Sequence, residues 1–475
     1  MIQKFNYNMY YLTIQLMEKL PLSILVLLLV LTITIAGCSI FGKKKELKPF
    51  ISEVIHPDWS KNAVVYEVNI RQFTPEGTFN AFATHLPRLK ELGVDLLWLM
   101  PINPIGVKNR KEPLGSYYSV KDYRNVNPEF GNLDDFKNLV AKAHEMGFHV
   151  IMDWVPNHSS WDNQLTVEHP DWYVKDSAGS FGPPHGFDWT DVIQFDWSKK
   201  ELQDYMLNSL KFWVDMGVDG FRVDYPQLTP PDFWVRVREE LNKTRPVFML
   251  AENEGLTEFL KKGFDMSYAW DLHHLMNSIA QGKDSVKSLN KYFLKETSVF
   301  PQNVYRMVFL DNHDENSWNG TINSRMGEAQ MAFAVFTFTT QGVPLLYNGQ
   351  EVCLAKSLRF FERDTIKWDT CRLTGFYKDL IKLKKSNLAL SNGEFGAKME
   401  MIKTNKDNKV FCFSRVKDGN NVLVFLNLSK KTVAIKPSLT DFNGEYTDYF
   451  AKLKTTVPLA DSLRLEPWGY KVLVK

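Results

Sequence analysis

Arg222 and Asp224 stand two residues apart at the end of an apolar run, Val218 to Asp224. On a strand, residues two apart point the same way. An arginine beside an aspartate favours the ionised carboxylate, which can then act as a nucleophile. One such pair alone would read as a structural ion pair. Glu252 ends the next apolar run, directly after Phe248 to Ala251, with Glu254 as the neighbouring alternative. A glutamate held near other carboxylates resists ionisation, and that suits a general acid. Asn312, His313 and Asp314 close a later run, Phe309 to Asp314, and Asp153, Asn157 and His158 close an earlier one, Asp153 to His158. Acidic side chains collected at the ends of buried strands are costly unless they do chemistry. Two carboxylates flanking a glycosidic bond, with a third nearby, suit hydrolysis through an oxocarbenium-like transition state.

Something must hold these groups at one rim. Eight near-continuous apolar runs are candidate strands: 63–70, 94–100, 148–153, 218–224, 247–251, 264–268, 305–310 and 343–347. Such runs are expected of parallel strands covered on both faces. Amphipathic helical patterns alternate with them, as at 133–146 and 201–216. Eightfold strand-helix alternation predicts an α/β fold, a closed (β/α)8 barrel, over an open doubly wound sheet.

After the third strand some forty residues precede the next helix, and they carry Trp161, Trp172, Trp189 and Trp197. A connection that long in a compact domain is usually functional. It reads as a small excursion domain, 154–198, over the barrel mouth. Trp161, Trp172 and Trp189 are either sugar platforms or that domain's own core. From about Asn392 short β-rich runs broken by Asn, Asp and Gly turns predict a C-terminal all-β sandwich, 392–475. The barrel occupies 57–391.

The N-terminal region reads as an export signal. Lys19 precedes an apolar stretch, 20–35, that runs into Ile35, Ala36, Gly37 and Cys38. The small-small-Cys ending resembles a bacterial lipoprotein signal, with Cys38 as the lipid-bearing first residue of the mature chain. The alternative is a transmembrane anchor. Residues 1–38 are the signal, Met17 is an alternative start, and 39–56 are a charged tether. The expected location is the cell envelope, on a lipid anchor in the outer membrane, periplasmic or surface-facing. Cys353, Cys371 and Cys412 read as buried small apolar residues, because an odd count argues against a disulfide framework. They spell no metal site. A formal net charge of +2 gives no electrostatic case for nucleic acid or an anionic surface.

The four site-bearing segments resemble, in order and spacing, the conserved regions of the α-amylase superfamily of glycoside hydrolases, family 13. The resemblance spans about 57–475 and extends to Gly115–Tyr123, to Tyr347–Glu351 and to the β-rich tail. It implies a retaining mechanism on α-1,4-linked glucans or maltooligosaccharides, α-amylase-like. By similarity Asp224 is the nucleophile, Glu252 the acid and then base, and Asp314 the carboxylate that holds sugar hydroxyls. Arg222 orients the nucleophile, with Asp153 supporting it. His158 and His313 bond the sugar at the cleaved bond, and Tyr118 stacks on it. Asn157 and Asn312 are supporting residues. Calcium-dependent members carry Lys-His three and four places after the nucleophile, whereas this chain has Gln227 and Leu228. Asn157 and Asp196 alone make no case for the site, so no metal ligands are assigned and no cofactor is certain, with a structural calcium left open. Within the same superfamily, an α-glucosidase, a neopullulanase or cyclomaltodextrinase and a transglycosidase share the pattern. A non-catalytic glycan-binding barrel is the reading from another class, and the full acid set argues against it.

Overall fold

The computed structural model describes residues 50–475. The export signal, Cys38 and most of the tether lie outside the described residues. The eight barrel strands are β1 (Val65–Val68), β2 (Leu96–Leu99), β3 (His149–Trp154), β4 (Gly220–Val223), β5 (Phe248–Ala251), β6 (Met266–Tyr268), β7 (Tyr305–Phe309) and β8 (Val343–Tyr347). Every neighbouring pair is parallel, and β1 pairs with both β2 and β8, which closes the cylinder. Each expected run matches one strand, most of them trimmed at the ends, with β3 reaching one residue past its run to Trp154. Barrel strands are short because side chains must leave the pleat where the rim loops begin. Inside, Val65, Trp98, Ile151, Leu250, Met307 and Leu345 belong to one packed core.

Helix α1 (Leu133–Glu145) begins at Asn132, whose side chain accepts from the Asp135 N–H while the Asp135 side chain returns the bond to the Asn132 N–H. That reciprocal cap satisfies two N–H groups that the first turn leaves without partners. Phe136, Leu139, Val140 and Ala143 form its buried stripe. Helix α2 (Lys200–Asp215) buries Leu202, Met206, Leu210 and Trp213 at the same helical spacing.

Between β3 and α2 the chain forms a two-stranded antiparallel pair, His158–Ser160 against Val192–Gln194. Trp172 and Trp197 are buried there as core, whereas Trp189 lines the cavity at the barrel mouth. Trp172 thus follows the core alternative, and Trp189 does not.

Beyond the barrel come β9 (Met399–Met401), β10 (Val410–Lys417), β11 (Asn420–Asn427), β12 (Val433–Ile435), β13 (Gly444–Asp448), β14 (Leu453–Val457), β15 (Leu463–Leu465) and β16 (Tyr470–Val474). Six of them form an antiparallel sheet in the order β9-β10-β11-β16-β13-β14, and β12 pairs with β15. Leu423 and Phe425 of the larger sheet share a core with Ile435 and Leu465 of the smaller. Strands β13, β14 and β15 were not expected. β14 lies at the sheet edge and β15 in the smaller sheet, and exposed positions of all three carry Glu, Lys, Thr or Arg, which masks the apolar period.

Arg415 of β10 ties this sheet to the barrel. Its guanidinium is buried and donates to the carbonyls of Thr339 (3.1 Å), Thr340 (2.6 Å), Ser391 (3.2 Å) and Ala397 (2.8 Å).

The cysteine reading needs correction. Cys353 and Cys371 are disulfide-bonded across the loop that follows β8, while Cys412 is free and buried in β10. An odd count excludes only complete pairing. One thiol lies inside the C-terminal sheet, and the other two stand at the two ends of a single surface loop.

Gly220 opens the strand that carries Arg222. A Cβ there would sit 1.9 Å from the carbonyl oxygen of Phe248 on β5, its register partner. Gly220→Ala is expected to destabilise the fold by roughly 3 kcal/mol. The check is the urea midpoint of unfolding, which should fall without a change in slope.

Candidate active site

The register of the barrel places Asp153 of β3 directly beside Arg222 of β4. Arg222 is fully buried and meets three carboxylates. One terminal nitrogen lies 2.8 Å from Asp153 Oδ1 and 3.2 Å from Asp224 Oδ1, and the other lies 2.9 Å from Glu252 Oε1. Its Nε donates to the Tyr268 hydroxyl at 3.1 Å. Asp224 and Glu252 therefore touch one planar fork, which keeps their nearest oxygens inside the ~9.5 Å that bounds glycosidase carboxylate pairs.

These groups open into a cavity of about 550 Å³ that also presents Tyr118, His158, His313 and Asp314. All the predicted catalytic and sugar-contacting residues thus converge, with Arg222 and Asp153 forming the floor beneath. A larger cleft of about 880 Å³, bordered by Lys121, Glu129, Asp162 and Tyr205, shares no lining residue with it. Glu254, the alternative acid, is turned away and paired with Arg306 at 2.7 Å.

Asn157 and Asn312 support the backbone. The Asn157 amide donates to the carbonyls of Asp224 (3.1 Å) and Tyr225 (2.6 Å). That fixes the turn after Asp224, where Tyr225 adopts a left-handed φ of 37°. The Tyr225 N–H then donates to Glu252 Oε2 at 3.0 Å. Asn312 Oδ1 accepts from the Glu315 N–H at 2.8 Å and shapes the turn that carries Asp314.

Electrostatics follow from a surplus of acids. Asp153, Asp224, Glu252, Asp314 and Glu67 face two cations, Arg222 and His313. Burial opposes the charge on Arg222, but Asp153 and Glu252 outweigh it and hold the guanidinium protonated. Arg222 favours the ionised form of Asp224, as expected, but other neighbours oppose it. Burial, and then the charge of Glu252, outweigh the guanidinium and raise the Asp224 carboxyl well above its usual range. Burial also raises Glu252, with Asp314 adding to it and Arg222 opposing. Two carboxyls pushed up together retain one proton between them when the other ionises.

The two histidines differ in charge. Burial lowers His158 to about 4, so it is neutral. Burial would lower His313 too, but Asp314 and Glu67 raise it to about 9. Its Nδ1 lies 2.5 Å from Glu67 Oε1, and its Nε2 lies 2.8 Å from the Tyr118 hydroxyl and 3.5 Å from Asp314 Oδ2. The Tyr118 hydroxyl also reaches Asp153 Oδ2 at 3.1 Å.

Sequence reasoning missed Glu67, Tyr268, Tyr225, Trp318, Phe360 and Phe361. Glu67 did leave a signal, a lone acid inside the apolar strand Val65–Val68. The aromatics left none, since a large aromatic core accounts for such residues equally well.

A pair of carboxylates on one cation, in a sugar-sized cavity at one rim of a (β/α)8 barrel, defines a glycoside hydrolase. The profile of the alpha amylase catalytic domain matches residues 55–374, and the chain belongs to this family. It is 28% identical over 411 residues to Alpha-amylase MalA of Haloarcula japonica, covering 82% of this chain and 59% of that protein's length. The crystal structure of an alpha-amylase from Lactobacillus plantarum superposes with a TM-score of 0.78 at 31% identity, covering 87% of this chain and 99% of that one. A noncanonic maltogenic alpha-amylase, AmyB of Thermotoga neapolitana, gives 0.79 at 27% identity over 87% and 98% of the two chains.

Near the Asp224 turn the buried Asn157 Oδ1 has no hydrogen-bond partner, one oxygen of the several that a structural calcium needs. Asn157 turns its NH2 group to the two carbonyls, and the described residues gather no cluster of three or more His, Cys, Asp or Glu suited to a cation. No step is routed through a metal.

A histidine raised from its ordinary 6.5 to about 9 adds stability that is full below pH 6.5 and is lost as pH rises through 9. His313→Gln is expected to flatten the fall in melting temperature between pH 6.5 and 9, followed by calorimetry in both proteins.

Proposed function

We propose that the enzyme is a retaining hydrolase of α-1,4-glucosidic bonds in starch-derived glucans and maltooligosaccharides. The observation that carries this reading is the shared contact of Asp224 and Glu252 with Arg222 in one cavity. In the reacting state Glu252 holds the proton of the pair and Asp224 is ionised. Glu252 gives that proton to the glycosidic oxygen as the C1–O bond breaks, and an Asp224 oxygen bonds to C1. Water then attacks C1 and loses a proton to Glu252, and the C1–Asp224 bond breaks. The net configuration at C1 is retained. Protonated His313, neutral His158 and Asp314 supply the donors and acceptors for the hydroxyls of the sugar at the cleaved bond, with Tyr118 against its face.

The bond's leaving side follows from the acid. Glu252 is held by the Tyr225 N–H, so Tyr225, Trp189 and Phe187 flank the departing sugar. Phe187 and Trp189 stack at 4.1 Å and 25°, and Trp189 meets Tyr225 edge-on at 6.1 Å. This chain has Gln227 and Leu228 where calcium-dependent members carry Lys-His, so these rings are left as the aromatic contacts on that side.

Asp224→Asn is expected to abolish turnover of soluble starch. Glu252→Gln should lower it by about 10²–10⁴-fold, with a smaller loss on an aryl glycoside whose leaving group needs no proton. Release of the β-anomer first, seen by NMR with maltoheptaose, would defeat the retaining assignment.

We further propose that the chain is exported and held at the envelope by lipid on Cys38. The support is the signal-like stretch before Cys38 and the Cys353–Cys371 disulfide, a bond that persists in oxidising compartments. Cys38→Ser should move the enzyme from the membrane pellet to the soluble fraction and remove labelling by radioactive palmitate. Labelling that survives the substitution counts against the anchor.

A further inference from the structure

Trp318 is 58% exposed, although it borders the cavity. It sits on a π-helical turn, Glu315–Asn319, directly after Asp314. Single π turns inside folded chains concentrate at functional sites. The indole packs against Phe360 at 5.4 Å and Phe361 at 5.9 Å. Phe360 lies 8° from parallel with Tyr118, at 6.3 Å between ring centres. Tyr118, Phe360 and Trp318 thus make one continuous aromatic surface, leading out from the acids to solvent.

This surface is held rigidly. Phe360 and Phe361 belong to the loop whose ends are joined by Cys353 and Cys371. Asn316, from the turn that carries Trp318, accepts from the Leu358 N–H at 2.8 Å. The Gln72 side chain donates to the Arg359 carbonyl at 2.6 Å, and the Leu114 N–H donates to the Phe361 carbonyl at 3.1 Å. Trp368 Nε1 donates to the Phe73 carbonyl at 2.7 Å. A loop pinned at both ends and along its length presents its rings at little entropic cost to a ligand.

This surface adjoins Tyr118 and His313 rather than the turn that bonds the acid. The Tyr225 N–H bonds Glu252, whereas Phe360 meets Tyr118 and His313, and Trp318 follows Asp314 by four residues. Resting on the reading of Asp224 and Glu252 given above, we propose that Trp318, Phe360 and Phe361 form a stacking platform for the α-glucosyl units on the non-reducing side of the cleaved bond, fastened by the Cys353–Cys371 bridge. Pyranose faces present C–H groups to the π-face of a ring, and flat aromatic rings bury that surface well. The platform selects substrates with two or more glucosyl units beyond the bond, so the shortest product released from the non-reducing side is maltose or longer.

The test compares kcat/KM across the series maltotriose to maltoheptaose, with cleavage positions read from reducing-end-labelled chains. Trp318→Ala removes an exposed ring and leaves the packed interior intact. It is expected to lower kcat/KM for maltoheptaose about tenfold, with a smaller loss on shorter chains and cleavage shifted toward the non-reducing end. Cys353→Ser/Cys371→Ser is expected to raise KM for maltoheptaose in the same graded manner. A Trp318→Ala enzyme that matches the wild type on every chain length overturns the platform. A length-independent KM in the double serine variant overturns the part assigned to the bridge. A wild type inert on all of these glucans overturns the parent reading, and is told apart because no variant is needed to see it.

Discussion

One guanidinium organises this active site. Arg222 is sealed from solvent by β3, β4 and β6, and it is bonded to Asp153, Asp224, Glu252 and Tyr268. A buried cation is stable only when its partners are close and well aimed, and taking one partner away from such a set costs roughly 3–5 kcal/mol. The arginine and its acids therefore hold one another in position. Barrel closure is the prerequisite, because it sets the register that puts Asp153 beside Arg222.

Around that centre the charge on each histidine follows from its neighbours. His158 has no carboxylate at hand to offset its burial, whereas Glu67 on β1 contacts His313 from beneath. The result is one neutral imidazole and one imidazolium within the same cavity. A substrate hydroxyl thus meets a side that can accept a proton and a side that only donates.

Much of this was legible beforehand because barrel strands are apolar throughout and end on the working residues. The eight runs and the acids Asp224, Glu252 and Asp314 stood out for that reason. Glu252 was separable from Glu254 by its place at the strand end, and Arg306 explains where Glu254 goes instead. Three things were not legible. The proton balance of Asp224 depends on its burial and on the Glu252 charge beside it, which are properties of the closed barrel. The Cys353–Cys371 bond depends on a loop folding back on itself. The outer aromatic surface combines Tyr118, Trp318 and Phe360, from three separate loops, so no local pattern could mark it.

Arg415 has a consequence for how the molecule is divided. Four of its five N–H groups go to carbonyls just before β8 and in the linker into the β-rich region. Those oxygens would otherwise face a dry seam without donors. The C-terminal sheet is thereby a lid on the barrel's own unsatisfied backbone, and the catalytic cylinder ends, in physical terms, only where the last strand does.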